Sequence, residues 1–268
     1  MDVRGKVVIL TGASSGIGLA TARLLAERQA RLALVARSEQ KIRELAAEIA
    51  GAVALPADLS DLDAARDVVS RVLDRFGRAD VLINNAGQGY DAAVEKTDIA
   101  KLQYLFRLHV LAPLAMMQAV IPGMRAEGEG AIVNVSSGTS MMTLHNNGPY
   151  SATKRALNGL FLTAREELAM DGIRVSVVYP FMTATHFEDE TTAFSDPSGL
   201  LSQESGGPVS SPDLPPPDPP DLVAQKILEA IEGGEAELFA HEWMARRPRE
   251  TGASPVSDRS DKESNGPA

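Results

Sequence analysis

The chain has 268 residues, of which 44% are hydrophobic, 23% charged and only 4% aromatic. That length allows one large core or two small ones, and the scarcity of aromatics leaves the core to Ala, Val, Leu and Ile. A formal charge of -10 disfavours nucleic acid as a partner, and the complete absence of cysteine removes disulfides, thiolate nucleophiles and zinc-thiolate sites. No uninterrupted apolar run approaches the ~20 residues needed to cross a bilayer, and the N-terminus leads straight into a strand. No membrane partner is expected, and the expected location is the cytoplasm.

Strand and helix signals alternate from the start. Lys6 to Thr11 reads as a buried strand and Ile17 to Glu27 as a helix. Arg31 to Val35 is a second strand, followed by a helix over about Glu39 to Ile49. Val53 to Ala57 and Leu62 to Phe76 repeat the scheme, and Val81 to Asn84 is a fourth strand. Helical periodicity then runs from Ile99 to about Ala126, where Pro113 and Pro122 are expected to bend or end it. Ala131 to Ser136 is a fifth strand, Tyr150 to Met170 a helix, and Arg174 to Tyr179 a sixth strand. Short apolar strands alternating with longer helices predict an α/β fold, a doubly wound and mostly parallel sheet of about seven strands.

The character changes from His186 to Asp221, a span with eight acidic residues, eight of the sixteen prolines and no Lys or Arg. It reads as a Pro- and acid-rich insertion or lid within a single domain spanning 1–245. A helix from Leu222 to Glu232 and a strand near Glu237 to Phe239 follow, and 246–268 reads as a flexible tail.

The first strand ends in "TGASSGIG", which sets Gly12, Ser14, Ser15, Gly16, Ile17 and Gly18 at a strand-to-helix turn. Such a turn admits a pyrophosphate against the backbone, where free helix N–H groups and the helix dipole favour an anion. The second strand ends in "LVARSEQ", with no carboxylate where a dinucleotide lacking a 2'-phosphate usually meets one. Arg37 and Ser38 there could hold a phosphate, pointing to NADP(H) rather than NAD(H); a solvent-exposed start to the next helix is the plainer alternative. Asp58, with Leu59, closes strand three and could face adenine or cap the helix near Leu62.

"YSATK" places Tyr150 and Lys154 four residues apart, on one face of a helix's first turn. An ammonium there would favour the phenolate and draw the tyrosine's titration from ~10 toward neutrality. His109, His145, His186 and His241 are scattered without a metal-ligand pattern, so no metal is expected.

Taken with "NNAG" at 84–87 and "SS" at 136–137, these motifs resemble those of the short-chain dehydrogenase/reductase family over about residues 4–240. The resemblance implies a three-layer Rossmann fold, usually a homodimer or homotetramer, that moves hydride between NAD(P) and a carbonyl or alcohol carbon. It implies that Tyr150 is the acid/base, that Lys154 binds the nicotinamide ribose and depresses the tyrosine pKa, and that Ser137 steadies the substrate oxygen. Asn85, Ala86 and Gly87 would run beside the adenine ribose; Pro180, Thr183 and Thr185 would follow the carboxamide and pyrophosphate. Two positions depart from the family pattern. His109 stands where an asparagine usually holds a proton-relay water, and could hold that water, join the relay, touch substrate or be a core residue. Phe181 replaces the glycine that commonly follows Pro180, and could place an aromatic wall near the nicotinamide. Gln88, Tyr90, Met141, Met142, Leu144, His145, Phe181 and Met182 are candidate pocket linings, suggesting an apolar, medium-sized substrate. The rival outside enzymes is an NADP(H)-binding scaffold whose chemistry has lapsed.

Overall fold

A computed structural model of the protein describes residues 1–184 and 216–246. Thr185, most of the Pro- and acid-rich insertion (186–215) and the tail from 247 onward lie outside the described residues. In chain order the regular elements are β1 (Val7–Thr11), α1 (Gly16–Glu27), β2 (Arg31–Ala36), α2 (Glu39–Glu48), β3 (Val53–Pro56), α3 (Leu62–Phe76) and β4 (Val81–Asn84). They continue with α4 (Ile99–Phe106), a π-helical turn (Arg107–Leu111), α5 (Ala112–Glu127), β5 (Gly130–Val135), α6 (Gly148–Leu168) and β6 (Ile173–Tyr179). Last come α7 (Pro220–Gly233), β7 (Glu237–Phe239) and α8 (Glu242–Arg246).

The seven strands form one sheet in the order β3-β2-β1-β4-β5-β6-β7, with every neighbouring pair parallel. Each strand is apolar at nearly every position because side chains alternate between two buried faces. Val7 and Ile9 of β1 enter one core with α3, α5 and α6, while Val8 and Leu10 enter the other with α1, α2 and α7. The result is three layers. The chain order reverses between β1 and β4, so a crevice opens at their carboxyl ends, where such sheets bind ligands.

The helices follow their apolar stripes. In α3 the buried residues are Ala65, Val68, Val69 and Val72, the i, i+3, i+4, i+7 set of one face. Its N-cap is Asp61, whose carboxylate accepts from the amides of Asp63 and Ala64. Asp58 therefore does not cap this helix; its Oδ1 instead accepts from the amide and hydroxyl of Ser60 at 2.9 and 2.8 Å.

Neither proline ends the long helical stretch. Pro113 sits in the first turn of α5, directly after the π turn, and Pro122 lies inside α5. Proline has no N–H to return to the carbonyl four residues earlier, which for Pro113 belongs to His109. Widening the preceding turn, with the Ala112 amide bonded to the Arg107 carbonyl, accommodates this without a break. Pro122 and Gln118 face solvent, so water can serve the carbonyl that Pro122 leaves unbonded. The stretch Ile99–Glu127 is long and apolar enough to cross a membrane, but 56% of its most apolar window is buried in the fold. Met116, Val120 and Met124 are in the core.

Candidate active site

The glycine turn is tied directly to the loop after β4. The Asn85 side-chain amide donates to the carbonyls of Thr11 and Gly12 at 3.0 and 3.3 Å. The Thr11 hydroxyl accepts from the amides of Asn85 and Ala86 and donates to the Ile83 carbonyl at 3.1 Å. Gly12 has φ of 68°, and a β-carbon on it would lie 2.8 Å from Asn85 Nδ2. A β-carbon on Gly18 would collide with the Gly12 carbonyl, so α1 packs on the turn only because that position is bare. The start of α1 thereby faces the crevice between β1 and β4, a backbone cradle suited to a dinucleotide pyrophosphate. The side chain of Asn85 is occupied in holding this cradle closed.

At the end of β2, Arg37 is exposed and its guanidinium reaches the Tyr104 hydroxyl at 3.4 Å. Ser38 is the N-cap residue of α2 but makes no side-chain cap bond. Asp58 is exposed and Leu59 is buried behind it. These residues border the same end of the sheet as the glycine turn.

The structure brings Ser137, Tyr150, Lys154 and His109 together. Pro149 in the first turn of α6 presets the helix start, and Tyr150 and Lys154 then share one face a turn apart. Both are buried, at 9% and 4% exposure. Ser137 follows β5, and its Oγ accepts from the amide and hydroxyl of Thr139 at 3.2 and 3.1 Å. With both acceptor positions taken, the Ser137 proton is directed to the Tyr150 phenol, to which it is hydrogen bonded.

The expected lowering of the Tyr150 pKa by Lys154 does not emerge. Burial pushes the phenol up, Ser137 opposes that by its hydrogen bond, and the negative charge of Asp91 adds to the rise. Lys154 Nζ lies 5.7 Å from the centre of the phenol ring and donates to the Val135 carbonyl at 3.0 Å. Burial also lowers Lys154 itself, to about 8.

His109 lies in the π turn and is 1% exposed. Its Nε2 is 3.0 Å from the Gln88 amide, which can only donate, so Nδ1 carries the imidazole proton. That proton goes to the Thr153 hydroxyl at 2.8 Å, and Thr153 donates onward to the Tyr150 carbonyl at 2.8 Å. The imidazole edge also meets the Tyr150 ring, centroids 5.7 Å apart and planes at 90°. Burial, with the charge of Lys154 adding to it, holds His109 well below the usual imidazole range. Both ring nitrogens are thus engaged in a neutral brace between the loop after β4 and the first turns of α6.

Beyond β6, Phe181 joins an aromatic group from the segment after β7. The Phe181 ring packs edge-on against Trp243 and His241, at centroid distances of 5.1 and 6.5 Å. The Thr183 hydroxyl donates to the Phe181 carbonyl at 3.2 Å, and Thr183 forms an isolated parallel bridge with Asp218. Among the proposed linings, Gln88 and Tyr90 are buried, Met141, Met142, Phe181 and Met182 half-buried, and Leu144 and His145 exposed. The Tyr90 hydroxyl accepts from the Asp98 amide at 2.9 Å, so that phenol secures the start of α4. Thr11, Thr139 and Thr153 were absent from the sequence-based set. Each acts through a hydroxyl whose partner is fixed by the folded chain; Thr11 and Thr153 lie inside the TGASSGIG and YSATK motifs, but the spacing of those motifs does not give the partners.

The family model described as short chain dehydrogenase matches residues 6–196, and the chain belongs to the short-chain dehydrogenase/reductase family. Ketoacyl reductase HetN of Nostoc sp. is 31% identical over 243 residues, covering 89% of this chain and 79% of that protein. A metagenomic short-chain oxidoreductase solved in complex with NADP is 31% identical with a TM-score of 0.71, covering 89% of this chain and 97% of that one. A 3-ketoacyl-(acyl-carrier-protein) reductase from Brucella melitensis, complexed with NADH, is 26% identical with a TM-score of 0.76, covering 88% and 97%. The protein is accordingly an NAD(P)H-dependent oxidoreductase of this family.

The neutral His109 yields a pH prediction with a definite sign. In the unfolded chain the imidazole takes up a proton below ~6.5, whereas the folded chain resists it. The unfolded state then binds more protons, so the stability contribution is complete above ~6.5 and is lost as pH falls below it. Urea unfolding from pH 7.5 to 5 should show a declining midpoint, and His109→Asn should flatten that decline. An unchanged slope in the variant would show that His109 is not the group responsible.

Proposed function

We propose that the protein is an NADP(H)-preferring oxidoreductase that interconverts a carbonyl and an alcohol on an apolar, medium-sized substrate. The observation that carries this reading is the buried Tyr150 phenol, hydrogen bonded to Ser137 with Lys154 one turn away, at the carboxyl end of the sheet. The glycine turn of Gly12, Ser14, Ser15, Gly16, Ile17 and Gly18 would hold the pyrophosphate. Arg37 and Ser38 would hold the 2'-phosphate, Asp58 and Leu59 the adenine, and Asn85 to Gly87 the adjoining ribose. Lys154 would hold the nicotinamide ribose, and Pro180 and Thr183 the carboxamide.

When bound, the nicotinamide supplies or receives a hydride. The residues manage the accompanying proton. A buried phenol with a raised pKa stays protonated at neutral pH, the form needed to protonate a developing alkoxide. Tyr150 Oη would deliver that proton, while Ser137 Oγ donates a hydrogen bond to the same oxygen. At about 8, Lys154 remains mainly protonated at pH 7 and supplies a buried positive charge beside them. Half-buried Met141, Met142 and Met182 support an apolar, adaptable substrate cavity. The arrangement of Ser137, Tyr150 and Lys154 speaks against a lapsed scaffold.

The cofactor preference rests on Arg37, exposed at the end of β2 with no carboxylate beside it until Glu39. The assembly proposed is a homodimer or homotetramer through the helices that begin near Ile99 and Tyr150, where Ile99 and Leu111 remain 72% and 40% exposed.

Three outcomes are expected. Tyr150→Phe should lower NADPH-dependent reduction across a ketone and aldehyde panel by about 10²- to 10⁴-fold, with NADPH affinity by fluorescence titration kept; near-normal turnover would remove Tyr150 from the acid/base role. Arg37→Asp should shift the ratio of kcat/KM values from NADPH toward NADH by about tenfold or more, equivalent to ~1.4 kcal/mol; an unaltered ratio would break the phosphate assignment. Sedimentation at micromolar concentration should give a dimer or tetramer, and a monomer at all concentrations would end the assembly proposal.

A further inference from the structure

The end of the chain's described part reaches back to the Ser137 loop. The Gly138 amide, next to Ser137, donates to the Pro180 carbonyl at 2.7 Å. Gly138 is covered from above: a β-carbon built on it would lie 2.8 Å from Met244 Cε and 3.2 Å from Phe181 Cδ2. Met244 is 3% exposed, and its amide bonds to the His241 carbonyl at 3.1 Å. His241 and Trp243 stack at 6.0 Å and 18°, and Phe181 meets both edge-on. His241 Nε2 contacts Asp218 Oδ2 at 2.8 Å. Asp218 in turn bonds through its main chain to Met182 and Ala184, at 2.7 and 2.8 Å. The Ala240 amide fastens the whole turn to the Tyr179 carbonyl at 3.1 Å.

We propose that Asp218 and the turn His241–Met244 form a clasp that positions Ser137, with Phe181 as the ring that couples the clasp to the loops after β5 and β6. The inference rests on the oxidoreductase reading above. Phe181, Asp218, His241 and Trp243 are positioning residues, since they act through the Gly138–Pro180 contact. A glycine at 181 would offer the clasp nothing to grip; the phenyl ring fills that gap with edge-to-face contacts. Misplacing the Ser137 hydroxyl weakens its hydrogen bond to the reacting oxygen while leaving the glycine turn untouched. The predicted signature is therefore a loss in kcat that exceeds any loss in cofactor affinity, because the glycine turn lies outside the clasp while Pro180 and Thr183 border it.

Trp243→Ala, His241→Ala and Asp218→Asn test this, with Trp243→Phe as the conservative comparison. Trp243 is 38% exposed, so its replacement does not empty the core. Circular dichroism confirms folding, NADPH fluorescence gives cofactor affinity, and a ketone active with the unaltered protein gives kcat and KM. The expected result is a fall in kcat of about tenfold that exceeds the change in NADPH Kd, with most of kcat regained in Trp243→Phe. Amide exchange over 136–142 should also accelerate in Trp243→Ala and Asp218→Asn, a readout independent of any substrate. Folded variants with unaltered kcat and unaltered exchange would overturn the clasp while leaving the oxidoreductase reading intact. An unaltered protein that neither binds NADPH nor turns over the panel would overturn that reading, and the role given to the clasp with it.

Discussion

The hydrogen bonds that Thr11 and Asn85 exchange across the switch between β1 and β4 hold the site in one piece. Parallel strands end in loops that have no reason to keep fixed distances from one another, and here the two central ones are fastened at their ends. From Asn85 the connection continues through Gln88 to His109, from His109 to Thr153, and from Thr153 to the Tyr150 carbonyl. After the short run of chain from Asn85 to Gln88, each step is a buried hydrogen bond, where leaving a donor or acceptor unpaired costs about 1–3 kcal/mol. The glycine turn and the phenol, about 140 positions apart in sequence, thus share a frame with little freedom to slip.

That frame is also electrically unusual. A phenol, an ammonium and an imidazole are buried side by side, and burial pushes each toward its neutral form. The imidazole settles there outright, since both its nitrogens have partners that suit the uncharged ring. The ammonium, lowered to about 8, keeps most of its protonation at neutral pH and is steadied by the Val135 carbonyl. His109 is thereby a structural counterpart to an asparagine, made of a group that is usually thought of as a proton carrier.

Much of the fold was legible because the signals are local. Apolar runs of four to seven residues between amphipathic helices fix β1 to β6 to within about one residue, and the parallel sheet follows from that alternation. The glycine turn and the Tyr150–Lys154 spacing were legible for the same reason. What sequence could not supply was direction. That Asn85 turns its amide toward Gly12, that Lys154 donates to Val135, and that Phe181 meets Trp243 all depend on partners brought in by folding. Pro113 disturbs the helical stretch locally through a single widened turn, while Pro122 lies within α5 and solvent serves the carbonyl it leaves unbonded. Asp58 lost the capping role to Asp61, three residues nearer the helix, a choice decided by which carboxylate reaches the amides of Asp63 and Ala64.

The contact between Gly138 and Met244 joins positions more than a hundred residues apart, and it bears on the order in which the molecule is assembled. Loop closure over such a span is entropically slow, and a chain emerging from a ribosome folds from its N-terminal side. The pyrophosphate cradle draws only on the stretch up to the loop after β4 and can organise early. The serine's surroundings must wait until Met244 arrives, so a partly synthesised molecule would hold its coenzyme half ready before it could perform chemistry.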